Sequence, residues 1–350
     1  MRVLLTIIRI TLRWGFFALI VAALCTWFFV RLFVSQAEER ETQILEKAAP
    51  AAGRYVQAGD VQIHIRDTGT LKGEDVLIVP GFGGWTGVWQ PTAKALADAG
   101  YRVITMDLPP FGYSQRPKIP LYDRQYQAER ILGVLNALGI ESAILVAHSS
   151  GGGPAVEATL MAPNRVRALV LVDALLDIAY ERHGRQYPPF IVDQVVSRPP
   201  LREGLIGTFI TNPLFNEDIL RRLVRDRATV TEEWLRLYRQ PLMLKGTTRT
   251  IGEYLPDLVI WTRESRSENP DAYRKMKTPV HVIWGDDDPI APFAQGRQIV
   301  SMIPGAVLKT MHGVGHLPHI EDPNSFQHLL IKSLNSLNQD YHAKQAEKRE

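Results

Sequence analysis

A serine, an imidazole and a carboxylate can cleave an acyl bond when the carboxylate orients the imidazole and the imidazole takes the serine proton during attack. Three separated stretches of this 350-residue chain offer those groups in the order serine, acid, histidine: Ala147-His148-Ser149-Ser150-Gly151-Gly152, Trp284-Gly285-Asp286-Asp287-Asp288-Pro289 and Gly313-Val314-Gly315-His316. A hydroxyl is a weak nucleophile and has to be presented on a sharp strand-to-helix turn, whose crowded backbone demands small residues two before and two after it. Ser149 meets that demand with Ala147 and Gly151, whereas for Ser150 the first crowded position would be filled by His148. In isolation S-x-G is equally the cap of a helix in a glycine-rich loop. The other two stretches favour the nucleophile.

Asp288 follows an apolar run at a turn, three residues beyond Gly285, and is the expected orienting acid. Asp286 and Asp287 compete with it on composition, with turn-making or helix capping as their other role, and Asp173 is a weaker rival. His316 lies in a glycine-bearing loop that can carry an imidazole over the edge of a sheet, and it is the expected base. His312 and His319 are expected to face solvent, and His148 to pack or hydrogen-bond at the turn. The charge that develops on a carbonyl oxygen needs two preorganised N–H donors. The backbone of Ser150 supplies one, and Phe82, within Pro80-Gly81-Phe82-Gly83-Gly84, is the expected second. A plain tight turn is the other reading of that glycine-rich segment. None of these stretches has metal-ligand spacing, and no cofactor is expected.

Holding such groups takes a scaffold. Residues 61–65 alternate like a half-exposed strand, and 76–79, 102–106, 143–147, 168–172 and 280–284 are compact apolar runs, as expected of buried strands in a mostly parallel sheet. Residues 91–99, 125–138 and 154–161 have the spacing of crossover helices, which makes the pattern α/β. The alternation lapses over about residues 175–276, where segments such as 217–225 and 232–238 read as helices. A stretch that long predicts an inserted helical cap rather than a loop. The core resumes with 280–284, a last strand at 307–311, and helices at 293–303 and 325–334. The expected divisions are core residues 55–174 and 277–336, cap 175–276, and a polar tail at 337–350, frayed from Gln339.

The N-terminus sets topology. Residues 14–30 carry no charge and apolar character resumes after Arg31 up to Val34, enough to cross a bilayer as a helix over 14–34. Arg2, Arg9 and Arg13 precede the run and Glu38, Glu39 and Glu41 follow it, which places residues 1–13 in the cytoplasm and the catalytic domain on the far side. Arg31 can snorkel to the far interface. The rival is a cleaved signal peptide, for which Ser35-Gln36-Ala37 offers small residues; the long run and Arg31 beside the cleavage region favour an uncleaved anchor. Residues 35–54 read as a spacer between membrane and domain. The rest of the composition excludes more than it identifies. A net charge of +3 without a basic stripe gives no pointer to nucleic acid, and the single cysteine, Cys25, excludes an intrachain disulfide framework. Leu24 makes Cys25 a poor lipoprotein site, and no internal repeat is present. Oligomeric state is not legible.

With these residues assembled, the chain resembles the α/β-hydrolase superfamily from about residue 55 to 334, in its capped esterase-, epoxide-hydrolase- and carbon–carbon-hydrolase-like branch. Asp107-Leu108-Pro109-Pro110-Phe111-Gly112-Tyr113-Ser114 is similar to that branch's D-x-P-G-x-G-x-S segment. Gly285-Asp286-Asp287-Asp288 followed by Pro292 matches G-x-x-D-x-x-x-P and selects Asp288. Gly315-His316 followed by Glu321-Asp322-Pro323 matches G-H-x-x-x-x-E-x-P and selects His316. The departures are Pro80 in place of the histidine of the oxyanion motif, Pro110 in place of a glycine, and Ala147 in place of the usual elbow glycine. Ser149 stands where dehalogenases and epoxide hydrolases carry aspartate, which argues against both activities.

The resemblance implies a serine hydrolase that cleaves carboxylic esters through an acyl-enzyme, and the N-terminal anchor with an apolar cap points to a small hydrophobic, lipid-like ester at a membrane. Carbon–carbon hydrolysis and cofactor-free perhydrolysis use the same triad, and a noncatalytic ligand-binding scaffold is the reading from another class. The arginines Arg182, Arg185, Arg198 and Arg202 are expected on a solvated cap surface rather than against an acidic substrate group.

Overall fold

The computed structural model describes residues 2–178, 190–259 and 264–347. The chain opens with one long helix, α1 (Arg2–Arg40), and among the described residues eight strands follow in a single sheet. They are β1 (Arg54–Ala58), β2 (Val61–Gly69), β3 (Asp75–Val79), β4 (Arg102–Met106), β5 (Ala143–His148), β6 (Val166–Val172), β7 (Val280–Gly285) and β8 (Val307–Met311). Their spatial order is β1-β2-β4-β3-β5-β6-β7-β8, with β1 and β2 antiparallel and the strands from β4 onward parallel. β1 was not foreseen. Its register, Ala58 opposite Val61, closes a hairpin over Gly59 and Asp60, and Gly59 takes the positive φ of 60° that such a turn requires.

The parallel strands read as unbroken apolar runs because both faces are covered. Leu77 and Val79 point into one core and Val76 and Ile78 into the other, the two-residue period of a strand. Three helices cover the two faces of the sheet: α2 (Gln90–Asp98), α3 (Arg124–Ala137) and α4 (Gly152–Met161). α3 and α4 cover the Leu77 face and α2 the opposite one. The Asp123 carboxylate caps α3 by accepting from the amides of Gln125 and Tyr126.

The cap lies between β6 and β7. It comprises α5 (Phe190–Val196), α6 (Pro199–Leu205), a π-helical turn Ile206–Ile210, α7 (Pro213–Arg222), α8 (Glu232–Arg239) and α9 (Thr247–Val259). Ile206, Ile251 and Tyr254 of the cap pack on Phe111 and Tyr122 of the core. Two helices complete the core, α10 (Phe293–Met302) and α11 (Pro323–Glu347).

Two segments are more ordered than the sequence implies. Residues 339–347, in the stretch expected to fray, continue α11 as far as Glu347. Leu330, Leu334 and Leu337 are buried on one face, each contributing about 2 kcal/mol, and His342 Nε2 lies 3.1 Å from Glu74 Oε1. The segment 35–54 is likewise not a free spacer, because α1 runs through it to Arg40 and docks on the cap. Val34 and Ala37 are buried there, and the Arg40 guanidinium donates to the Gly207 carbonyl at 2.8 Å. A Cβ on Gly207 would stand 3.1 Å from that of Ala37, so the close approach uses the missing side chain. Thr11–Arg40 is long and apolar enough to cross a membrane, and only 6% of its most apolar window is buried by protein.

Candidate active site

β5 ends at His148, and the next residue, Ser149, is buried with φ of 50°, a left-handed conformation that a non-glycine residue adopts only where its surroundings impose it. The crowding that imposes it is measurable. A Cβ on Gly151 would lie 2.5 Å from the Pro80 carbonyl oxygen, and one on Gly81 would lie 2.7 Å from Ser149 Cβ. Ala147 is fully buried opposite Val79. The elbow therefore needs small residues where the sequence has Ala147 and Gly151.

His316 Nε2 stands 2.8 Å from Ser149 Oγ, and its Nδ1 2.7 Å from Asp288 Oδ2. Because the carboxylate only accepts, Nδ1 carries the proton, and Nε2 is left to accept from the serine hydroxyl. Asp288 is itself fixed, since its Oδ1 accepts from the amides of Ile290 at 2.7 Å and Ala291 at 2.9 Å. The three expected residues thus form one continuous hydrogen-bonded series.

Their rivals hold other posts. Asp286 accepts from His312 Nδ1 and the Gly313 amide, bracing the loop that leads to His316, and Asp287 pairs with Arg225 at 3.0 Å. Asp173 is buried at φ 43° with one oxygen accepting from the Gly285 amide and the other without a partner. Burial first, and the neighbouring Asp288 charge second, push its carboxyl well above the usual carboxylate range. His148 hydrogen-bonds at the elbow: its Nε2 donates to the His316 carbonyl at 2.8 Å, and burial holds its pKa well below the ordinary imidazole value.

His319 departs from expectation. Instead of facing solvent it is buried, stacked on Trp89 with ring centroids 4.2 Å apart and neither nitrogen hydrogen-bonded. Burial, and then the nearby His316, lower its pKa to about 3. The aromatic slot between Trp89 and Phe326 outweighs the polarity of its ring.

The oxyanion segment folds as a turn in which Gly84 donates to the Gly81 carbonyl and Gly83 takes φ of 71°. Phe82 lines the cavity above Ser149, and Ser150 is the second residue of the helical turn Ser149–Gly151. The segment with Pro110 is built around Asp107, whose carboxylate accepts from His64 Nδ1 at 2.9 Å and from the amides of Thr86 at 2.5 Å and Tyr113 at 2.7 Å. That carboxylate joins the oxyanion segment's C-terminal side to the loop bearing Phe111. The Pro109–Pro110 peptide is cis.

A cavity of about 370 Å³ opens over Ser149 and His316. Phe82, Phe111, Leu175, Ile206, Ile210 and Leu255 are among its many apolar walls. Arg239 is the one cation among the described lining residues, and its guanidinium is already bonded to Asn216 Oδ1 and the Pro213 carbonyl, both at 3.0 Å. Of the arginines singled out in the cap, Arg198 and Arg202 bond to cap carbonyls and do not line this cavity, while Arg182 and Arg185 fall outside the described residues.

Sequence reasoning missed one residue that joins cap to site. The Glu321 carboxylate accepts from the amides of Gly315, Arg225 and Asp226 at 2.9–3.0 Å, tying the loop of His316 to the turn after α7. The glutamate of the G-H-x-x-x-x-E-x-P pattern was the available signal. For the cavity walls there was none.

The same organisation recurs in known proteins. A sequence profile described as the alpha/beta hydrolase fold matches residues 76–323. An uncharacterised hydrolase of Bacillus subtilis is 30% identical over 64% of this chain and 76% of its own length. A 2-hydroxy-6-oxononadienedioate/2-hydroxy-6-oxononatrienedioate hydrolase of Paraburkholderia phymatum is 29% identical over 84% of this chain and 99% of its own. Among solved structures, a bacterial membrane phospholipase A superposes with a TM-score of 0.64 at 21% identity, covering 94% of this chain and 99% of that one. With its matching profile, its eight-stranded sheet and its capped elbow, this chain belongs to the α/β-hydrolase family.

Proposed function

We propose that this chain is a serine hydrolase tethered to a membrane by α1, and that it cleaves apolar, lipid-like carboxylic esters. The observation that carries the reading is the series Ser149–His316–Asp288 opening onto an almost wholly apolar cavity. In the first half-reaction Ser149 Oγ attacks the ester carbonyl as His316 Nε2 takes its proton, and the amides of Phe82 and Ser150 receive the oxyanion. Collapse of the tetrahedral intermediate expels the alcohol, which takes the proton from His316. Water, deprotonated by His316, then attacks the acyl-enzyme and releases the acid, restoring Ser149. Arg2, Arg9 and Arg13 keep the N-terminus cytoplasmic, and the catalytic domain lies on the far side.

A second reading, carbon–carbon bond hydrolysis, is supported by the relatives named as hydrolases of 2-hydroxy-6-oxononadienedioate and 2-hydroxy-6-oxononatrienedioate. A dienedioate carries two carboxylates, and burying them requires cations. The described walls provide only Arg239, already engaged, so the ester reading is preferred.

The test is covalent labelling of the full-length protein in detergent by a fluorophosphonate, beside Ser149→Ala and Ser150→Ala. Labelling lost only in Ser149→Ala, with p-nitrophenyl ester turnover that depends on acyl chain length, is expected. Folded wild type that resists the probe would favour a noncatalytic ligand-binding scaffold. Turnover of a ring-fission dienoate without any ester turnover would favour the second reading.

A further inference from the structure

A second cavity, of about 270 Å³, lies where α1 meets the cap, and none of the residues that line it lines the first. Val34, Glu38 and Glu41 form one wall, at the spacing that places them on one side of a helix. Glu203 of α6 and Lys245, Thr248 and Arg249 at the start of α9 form the others. The walls are fixed by the docking of the anchor. The Glu41 carboxylate accepts from the amides of Gly246 at 2.7 Å and Thr248 at 2.6 Å, and the Lys245 amide donates to the Gln43 carbonyl at 2.9 Å.

Helix rise sets the depth of this cavity in a bilayer. Residues 14–34 span about 30 Å, the thickness of the hydrocarbon core, and the polar layer beyond it is about 5–7 Å deep. Glu38 is one helical turn past Val34, about 6 Å along the axis, and therefore stands at the level of lipid headgroups. Charges of both signs meet there. Glu38, Glu203 and Lys245 have no ion pair among the described residues, while Arg249 is held by Glu253 at 2.9 Å.

We propose that this cavity binds a zwitterionic aminoalkyl phosphoester, the chemistry of a phosphatidylethanolamine headgroup, with the ammonium at Glu38 and Glu203 and the phosphate at Lys245 and Arg249. An ammonium is a triple donor suited to two carboxylates, and the phosphate oxygens accept from the lysine and arginine as charge-assisted bonds. The Glu203 carboxyl fits this role, because partial burial raises its pKa and an arriving cation would relieve that cost. Glu203 and Ile206 are three residues apart, one on this cavity and one on the substrate cavity, so a headgroup bound here rests across a single helical layer from the substrate. The inference rests on reading α1 as the membrane anchor.

The experiment is native mass spectrometry of the full-length protein carrying Ser149→Ala, which prevents turnover, offered equimolar phosphatidylethanolamine and phosphatidylglycerol in detergent. Retention of phosphatidylethanolamine over phosphatidylglycerol by about tenfold or more is expected, falling toward parity in Glu203→Gln, whereas Lys245→Glu, which removes the contact to the phosphate that both lipids carry, is expected to lower retention of both by about tenfold. Equal retention of the two lipids by the parent protein, a preference unchanged in Glu203→Gln, or retention of both lipids unchanged in Lys245→Glu would overturn the proposal. A parallel arm offers free phosphoethanolamine. Its retention marks a soluble ligand of the same chemistry, and its exclusion alongside lipid retention marks the bilayer as the source. Fluorophosphonate labelling of Lys245→Glu with Ser149 restored, at the wild-type rate, shows that the variant is folded. Release of the wild type from membranes by alkaline carbonate would overturn the anchor, and with it this placement of the site. Failure of wild-type labelling would overturn only the proposed hydrolase activity.

Discussion

Replacing Asp288 by asparagine changes one atom and should nearly abolish turnover. Asp288 Oδ1 accepts from two amides, those of Ile290 and Ala291, while Oδ2 accepts from His316 Nδ1 at 2.7 Å. An asparagine has a single oxygen, and the two amides hold it on their side, since the flipped rotamer would set its NH₂ against two N–H donors. The NH₂ therefore faces His316 Nδ1 and donates to it. That forces the imidazole proton onto Nε2, which then points a hydrogen at Ser149 Oγ and cannot accept one. The inverted tautomer is expected to lower kcat about 10⁴-fold, or about 5.4 kcal/mol of transition-state stabilisation, with the fold unchanged. The assay is kcat on the best ester of the panel together with the rate of fluorophosphonate labelling, and thermal unfolding as the control for folding. A folded Asp288→Asn within tenfold of wild type would refute this reasoning and return the orienting role to another carboxylate.

Asp173 is the rival that the same assay disposes of. Its side chain accepts from the Gly285 amide, which an asparagine oxygen can still do, and burial raises its carboxyl pKa, so Asp173→Asn should keep kcat within about threefold; the His316 imidazole is held by Asp288 instead. Gly151→Ala would bring a Cβ to 2.5 Å from the Pro80 oxygen and displace the oxyanion segment; a loss of about 1–3 kcal/mol in thermal unfolding is expected, with a larger fall in kcat than in KM. His319 binds a proton less readily folded than unfolded, so the unfolded chain takes up more protons between pH 6.5 and about 3 and stability falls as pH drops through that window. His319→Phe should remove up to one proton from that dependence, about 1.4 kcal/mol per pH unit, measured by urea unfolding across the window.

The strands, the elbow and the loop histidine were legible because each is a local demand. A buried parallel strand needs an unbroken apolar run, and a strained turn needs Ala147 and Gly151 about Ser149 whatever else the chain does. β1 escaped notice because its alternation is short and its apolar face is buried against α3, about 70 positions later in the chain. The solvent-facing reading of His319 failed for a related reason. Residue type predicts average exposure, but Trp89, some 230 positions earlier, provides the stacking surface that buries it.

By itself the chain's order of residues determined the α/β alternation, the sequence positions of Ser149, Asp288 and His316, and an apolar run long enough to span a bilayer. Periodicity and local sterics are enough to specify these. Tertiary structure alone decided that Asp173 is buried near Asp288 with its carboxyl raised well above the usual range, that His319 stacks on Trp89, and that Glu321 joins the cap to the histidine loop. It alone also carried α1 past the apolar run to clamp the start of α9 through Glu41. Each of these depends on distances between residues tens to hundreds of positions apart, and on burial that acts on a charge only once the chain has closed around it.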